Sequence, residues 1–140
     1  VGEFLKQKTG HDFPVLSQLR HRRAIRAIAT MIKDNLGDSI IGRDQKLAAG
    51  LIFARTVGNT ALEGELHALS AKDLPDSPTQ ILVRAISPSP SNVDQSVIES
   101  SRAISPAGIV ELVTFVSVLQ MLHRLSSFYP ATVAARTQSA

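Results

Sequence analysis

The sequence predicts an all-α fold, a compact domain of six to seven helices. Apolar residues recur at the spacing of one helix face, as at Ile25, Ile28, Ile32 and Leu36. The periodic segments end at glycine, asparagine or proline, which commonly terminate helices. β-Branched residues are present, but they do not alternate with polar residues as in a half-buried strand. These three observations together favour helices throughout.

The length and composition favour a single domain. The chain has 140 residues, of which 44% are hydrophobic and 19% are charged. This composition suits one hydrophobic core, and 140 residues are too few for two domains. We expect residues 1–14 to form a lead-in and residues 131–140 to form a frayed tail. The first residues lack the apolar run of a signal peptide, so a cytoplasmic location is expected.

The residue types exclude several classes of site. The sequence contains no cysteine, which excludes disulfides, thiolate zinc sites and thiol redox chemistry within this chain. The four histidines are far apart in sequence, so no metal site and no cofactor are predicted. A membrane span is not expected near the C-terminus, because Glu111 interrupts the apolar stretch there.

A basic cluster lies within the first long helix, which is predicted over residues 15–36. Its members are Arg20, His21, Arg22, Arg23 and Arg26. A solvated face, an anion site or a subunit contact would each account for it. Nucleic acid is an unlikely partner, because no aromatic residues are interleaved for base stacking. His21 continues the apolar stripe and is expected to point inward, as a satisfied core or helix-end histidine without an active-site role.

The second helix is predicted over residues 45–57, with Asp44 as its N-cap. Gly50 in this helix would allow a neighbouring helix to approach closely. Gly58 and Asn59 mark a break. A third helix is then predicted over residues 60–72, and it would open with a capping box in which Thr60 is the N-cap and Glu63 stands three residues on.

Three more helices are predicted in the second half of the chain. Ser77 and Pro78 have the pattern of an N-cap followed by the first helical residue. Another helix is expected over residues 92–103. The last and most apolar helix is expected over residues 106–128, capped by Ser105 and ended by Tyr129 and Pro130.

Polar residues recur every third position along that last helix, at Glu111, Thr114, Ser117 and Gln120. Because a helix turns every 3.6 residues, this polar line winds around the helix by about 60° per step. Different faces of the helix should therefore be buried at its two ends.

Glu63 and His67 form the acid/base pair that first suggests chemistry. Side chains four residues apart on a helix are neighbours. A carboxylate beside an imidazole fixes its tautomer and raises its basicity, as proton transfer requires. The same spacing is common on solvated helices, and the capping box would by itself explain Glu63. The spacing leaves both interpretations open.

Two motifs resemble the carboxymuconolactone decarboxylase / alkylhydroperoxidase-D-like family. The first is Val-Gly-Asn-Thr-Ala-Leu-Glu-Gly-Glu-Leu-His-Ala over residues 57–68, and the second is the capped, apolar last helix with Glu111. The resemblance covers roughly residues 44–129. In the peroxidase branch of that family, two cysteines precede the histidine; here Thr60 and Glu63 stand at their positions. Thiol peroxidase activity is therefore excluded.

The decarboxylase branch has no cysteines and places a glutamate four residues before the histidine, as here. The resemblance implies an all-α trimer or hexamer with a small-molecule pocket. It implies that His67 acts as general acid/base on a carboxylated lactone or related acid, that Glu63 orients His67, and that Lys46 or Arg55 binds a substrate carboxylate. The alternative is a non-catalytic family member that serves as an oligomerisation or ligand-binding module. No aromatic residue flanks Glu63, which favours that alternative.

Overall fold

A computed structural model describes residues 21–88 and 93–139 of the chain. The secondary structure elements of the described residues are all helices, with no strand among them, so the all-α prediction is confirmed. The six helices are α1 (Arg22–Leu36), α2 (Arg43–Thr56), α3 (Thr60–Ala68), α4 (Pro78–Ile86), α5 (Gln95–Ser101) and α6 (Pro106–Ser139). The predicted lead-in, residues 1–14, lies outside the described residues.

Helix α2 is the centre of the domain and packs against α1, α3, α4 and α6. Its middle is buried almost all round, which is typical of a core helix. Phe53 and Leu51 lie at the centre of the cluster, together with Leu66 of α3 and Leu112 of α6. Gly50 lets Leu66 and Leu119 come into contact with the α2 backbone. The predicted close approach at Gly50 is confirmed.

Helix α1 begins at Arg22 with His21 as its N-cap, and residues 15–20 of the predicted helix lie outside the described residues. His21 has an extended backbone with φ of −129° and caps the helix, its Nδ1 accepting a hydrogen bond from the Ala24 N–H at 3.1 Å. Its side chain is exposed, so the expectation that His21 points inward was wrong, whereas the helix-end role is confirmed. An imidazole that caps a helix end has to lie outside the helix, although its position continues the apolar stripe.

The N-caps of α2 and α3 also differ from the prediction. Gly42, not Asp44, caps α2, and the Asp38 carboxylate accepts a hydrogen bond from the Arg43 N–H at 2.8 Å. Asn59, not Thr60, caps α3; its Oδ1 accepts a hydrogen bond from the Leu62 N–H at 3.0 Å. The predicted capping box is therefore wrong, because Glu63 lies four residues after the N-cap Asn59 and a capping box requires the glutamate three residues after it.

Helix α3 ends at Ala68, four residues earlier than predicted. Ser70 has a left-handed backbone with φ of 71°. The Ser70 N–H then donates to the His67 carbonyl at 2.9 Å, and the Ala71 N–H donates to the Leu66 carbonyl at 3.0 Å. These two bonds form a Schellman motif, which closes the helix.

Helices α4 and α6 begin at the N-caps that the sequence predicts. The Ser77 hydroxyl accepts from the Gln80 N–H at 3.4 Å, with Pro78 at the first helical position. The Ser105 hydroxyl accepts from the Gly108 N–H at 3.1 Å. Both predicted caps are confirmed. Helix α5 is shorter than expected.

The end of α6 differs from the prediction. The helix continues past Tyr129 and Pro130 to Ser139, so the expected stop at residue 128 was wrong. The frayed tail over residues 131–140 stays a prediction. A proline inside a helix removes one intrahelical hydrogen bond and favours a kink, and in a long helix the flanking turns can retain their own bonds.

Within the described residues, one helical stretch, Pro106–Leu125, is long and apolar enough to cross a membrane by length and composition alone, with a mean hydropathy of 1.4. The core helix of a water-soluble domain meets the same criteria. Leu112, Phe115, Leu119 and Leu122 of this stretch belong to the hydrophobic core, and Val110 and Val113 on another face are exposed.

Candidate functional site

Arg55, not His67, is the partner of Glu63. The Arg55 Nε lies 3.1 Å from Glu63 Oε2, and the same guanidinium contacts both carboxylate oxygens of Asp73, at 2.5 and 3.4 Å. The hydrogen bond from Arg55 holds the pKa of Asp73 below its usual value. The hydrogen bond to Asp73 likewise raises the pKa of Arg55. Arg55 therefore joins α2 to α3 and to the segment after it.

His67 lies on the exposed side of α3. Its Nδ1 donates to the Ala71 carbonyl at 3.3 Å, which ties the ring to the turn that closes the helix. Within the described ranges, no hydrogen bond or ion pair joins His67 to Glu63. Glu63 thus serves neither of the two roles considered from the sequence: it neither caps α3 nor orients His67.

Lys46 lies far from these residues and is fully buried. Its Nζ contacts Glu111 Oε1 of α6 at 2.5 Å and donates to the Gly37 carbonyl at 3.1 Å. Lys46 and Arg55 are nine residues apart on α2, which places them about 180° apart around the helix. The two cations therefore cannot bind one substrate carboxylate beside His67, and of the two only Arg55 lies near the Glu63 side.

Glu111 completes a buried charge cluster with Lys46. The pKa of Glu111 is lower than its ordinary value. Burial alone would raise this pKa, but the hydrogen bond and the charge of Lys46 outweigh burial. Hydrogen bonds from Ser39 and from the Ile41 N–H lower it further. Because these partners come from α2, α6 and the connection over residues 37–42, the cluster fixes that connection onto the domain. Its partners are all satisfied, which is typical of a structural ion pair.

A cleft of about 560 Å³ opens on another side of the domain, between α2, α4 and α6. This volume lies within the range of small-molecule sites. Helix α6 forms one wall with residues spaced three and four apart, and α4 contributes its C-terminal end. The lining residues are Phe53, Ile86, Ser87, Pro88, Val113, Val116, Ser117, Gln120, Met121, Arg124 and Leu125.

Phe53, at the base of the cleft, is held in place by His123 of α6. Its ring packs edge-on against His123, with ring centroids 6.2 Å apart. The His123 Nδ1 accepts a hydrogen bond from Asn59 Nδ2 at 3.1 Å. His123 therefore has a structural role in this part of the domain. The same contacts connect the base of the cleft to the N-cap of α3.

Two polar groups in the cleft lack partners. Gln120 Oε1 is buried and accepts no hydrogen bond in the described structure. Arg124, one turn further along α6, is exposed and makes no ion pair or hydrogen bond with any residue in the described ranges. An unsatisfied buried acceptor costs roughly 1–3 kcal/mol, and such groups require an explanation.

The two cleft hydroxyls are already engaged. Ser87 donates to the Val83 carbonyl at 2.6 Å and Ser117 donates to the Val113 carbonyl at 2.8 Å. Each keeps only its acceptor capacity for a ligand. The donors that remain for a ligand are the guanidinium of Arg124 and the amide of Gln120.

The winding polar line on α6 was the sequence signal for this site. Glu111 at one end is held by Lys46, whereas Ser117 and Gln120 further along face the cleft. The pattern predicted that α6 buries different faces at its two ends, but over the part whose burial the structure describes Leu112, Phe115, Leu119 and Leu122 follow one face, so that change of face is not observed there. The pattern could not indicate a cleft, because α2 and α4 supply the other walls. Among the residues that the structure describes, no three histidine, aspartate or glutamate side chains form a metal-site grouping.

Comparison with protein-family models, with curated proteins and with solved structures finds no match to this chain. The family resemblance therefore depends on two short motifs alone. The candidate site has to be judged by its own geometry.

Proposed function

We propose that this chain is a helical ligand-binding domain, and that its site is the cleft between α2, α4 and α6. The observation that carries the proposal is a concave, mostly apolar cleft of about 560 Å³ with two polar groups that lack partners. Small-molecule sites commonly combine an apolar lining with a few polar groups of this kind. The proposal is the non-catalytic, ligand-binding alternative raised by the sequence.

The surroundings of His67 support a non-catalytic domain. A general acid or base needs a positioned partner and a substrate within hydrogen-bond reach. Glu63 is held by Arg55, His67 is exposed and bonded to its own helix end, and neither residue lines the cleft. The predicted trimer or hexamer stays a prediction.

A blocking substitution tests the cleft. In wild-type protein, 4-phenylbutan-1-ol is expected to shift the backbone amide NMR signals of Ser87 and Gln120. Replacing Ser117 with tryptophan should fill the cleft and weaken this binding by about tenfold or more, the equivalent of 1.4 kcal/mol.

Thr114→Trp is the matched control. Thr114 is exposed on the same helix and bonds its own helix carbonyl as Ser117 does, at 2.7 Å, but it does not line the cleft. Binding should survive in this variant. Absence of shifts in the wild type, or equal losses in the two variants, would contradict the proposal; circular dichroism checks that both variants are folded.

The acid/base hypothesis for His67 and Glu63 stays a prediction, and the family resemblance is its support. According to this hypothesis, the wild type converts a carboxylated lactone, and His67→Ala loses this turnover while its melting temperature stays unchanged. Asp34→Ala, on the exposed side of α1, is a suitable control for a surface substitution. Absence of turnover by the wild type, or turnover that His67→Ala retains, would sink it.

A further inference from the structure

We propose that the ligand of the cleft is an amphipathic monocarboxylate, a small molecule with an apolar body and one carboxylate at its end. This inference depends on the proposed function above. The apolar body would lie against Phe53, Val116 and Met121, and the carboxylate would bind Arg124 at the mouth.

The charge of Arg124 is the first argument. Among the described side chains that line the cleft it is the one cation, and none of them is a carboxylate. A guanidinium presents parallel N–H groups that match the two oxygens of a carboxylate. A single cation neutralises a single negative charge. A dianionic phosphate would leave a second charge beside an apolar lining, which is unfavourable.

Gln120 is the second argument. Its amide lies one helical turn before Arg124, so both side chains are on the same face of α6. Gln120 lines the cleft while its Oε1 is buried, so the amide NH₂ is the polar group that it can offer to a ligand. A carboxylate at Arg124 could accept from that NH₂.

The hydroxyls of the cleft are consistent with a ligand that has an apolar body and one charged end. Ser87 and Ser117 donate their protons to helix carbonyls and offer no donor to an anion. Their oxygens can accept from water or from a polar group on the ligand. The anion-binding donors are therefore concentrated at one end of the cleft, which fits a ligand with one charged end.

Three probes that differ only in their end group test the inference: 4-phenylbutyrate, 4-phenylbutan-1-ol and 4-phenylbutylamine. Isothermal titration of the wild type should give the tightest binding for the carboxylate, about fivefold tighter than the alcohol because Arg124 is exposed to solvent, and the weakest for the amine. Arg124→Gln should abolish the preference, so that the carboxylate binds no tighter than the alcohol.

Arg102→Gln is the matched control, because Arg102 is exposed, carries the same charge and lies outside the cleft. The preference for the carboxylate should survive there. Equal affinities of the wild type for carboxylate and alcohol would overturn the inference while the proposed cleft stands. Equal losses in Arg102→Gln and Arg124→Gln would also overturn it, since net charge would then explain the preference. Failure of all three probes to bind would overturn the proposed function itself.

Discussion

Replacing Lys46 with methionine is expected to lower the free energy of unfolding by about 3 kcal/mol, since removing one partner of a buried ion pair leaves the other charge uncompensated. Lys46 is fully buried, and the Glu111 side chain is only 15% exposed. Methionine is apolar and cannot neutralise the carboxylate or donate to the Gly37 carbonyl. Urea unfolding at pH 7, followed by circular dichroism, measures the loss.

The double variant Lys46→Met/Glu111→Leu is the informative partner of that experiment. Removing both charges together is expected to recover most of the stability, because an apolar pair avoids the desolvation of two ions. Arg84→Met serves as a control, because the Arg84–Asp76 pair is exposed on both sides and should contribute less than about 1 kcal/mol. If Lys46→Met cost no more than Arg84→Met, the structural role of the buried pair would be contradicted.

The same pair should make stability depend on pH. The pKa of Glu111 is lower in the folded chain than its ordinary value, which is about 4.3 for an unfolded glutamate. Its contribution is therefore present above that pH and is lost as the pH falls through the lowered folded value. Wild-type protein should lose stability more steeply in acid than Lys46→Met/Glu111→Leu. Parallel pH profiles of the two would contradict this assignment.

Gly50→Val is expected to lower the free energy of unfolding by about 2–3 kcal/mol through overpacking. A Cβ at position 50 would lie 3.1 and 3.2 Å from the two terminal carbons of Leu66 and 3.5 Å from Leu119. Both leucines are buried in the core, so they have little room to move away from the added valine methyls. Thermal unfolding followed by circular dichroism measures the effect.

Gly64→Val provides a matched control. Gly64 is also inside a helix, α3, but nothing lies within 4 Å of a Cβ placed there. The backbone change is the same and the packing change is absent, so stability should change by less than about 0.5 kcal/mol. Similar losses at both positions would show that the backbone propensity, not the contact with Leu66, explains the result.

Local sequence patterns predicted the helices but not all of their ends. Ser77 and Ser105 were identified as caps because each immediately precedes a proline at the first helical position. Asn59 and Thr60 are adjacent and both residue types are common N-caps, so residue type could not decide between them. The backbone φ of +70° at the preceding Gly58 places the N-cap of α3 at Asn59, one residue earlier than predicted. Ser70 closes α3 in a conformation that usually indicates glycine.

The candidate site was less accessible to such reasoning. The spacing of Glu63 and His67 correctly placed both on α3, but Arg55 and Asp73, which decide what Glu63 contacts, come from segments outside that helix. Lys46 was predicted to bind a substrate carboxylate, whereas in the structure it is buried and pairs with Glu111 of the same chain. The cleft needs three helices to close, so no single stretch of sequence describes it.

The pairing of Lys46 with Glu111 has a consequence for how the chain folds as it is made. Glu111 lies 65 positions after Lys46, so α1 to α4 leave the ribosome while their central lysine has no counter-ion. Burying that ammonium at this stage would be costly. The first four helices should therefore stay open on the Lys46 side during synthesis, and the arrival of the start of α6 should allow the interior to close.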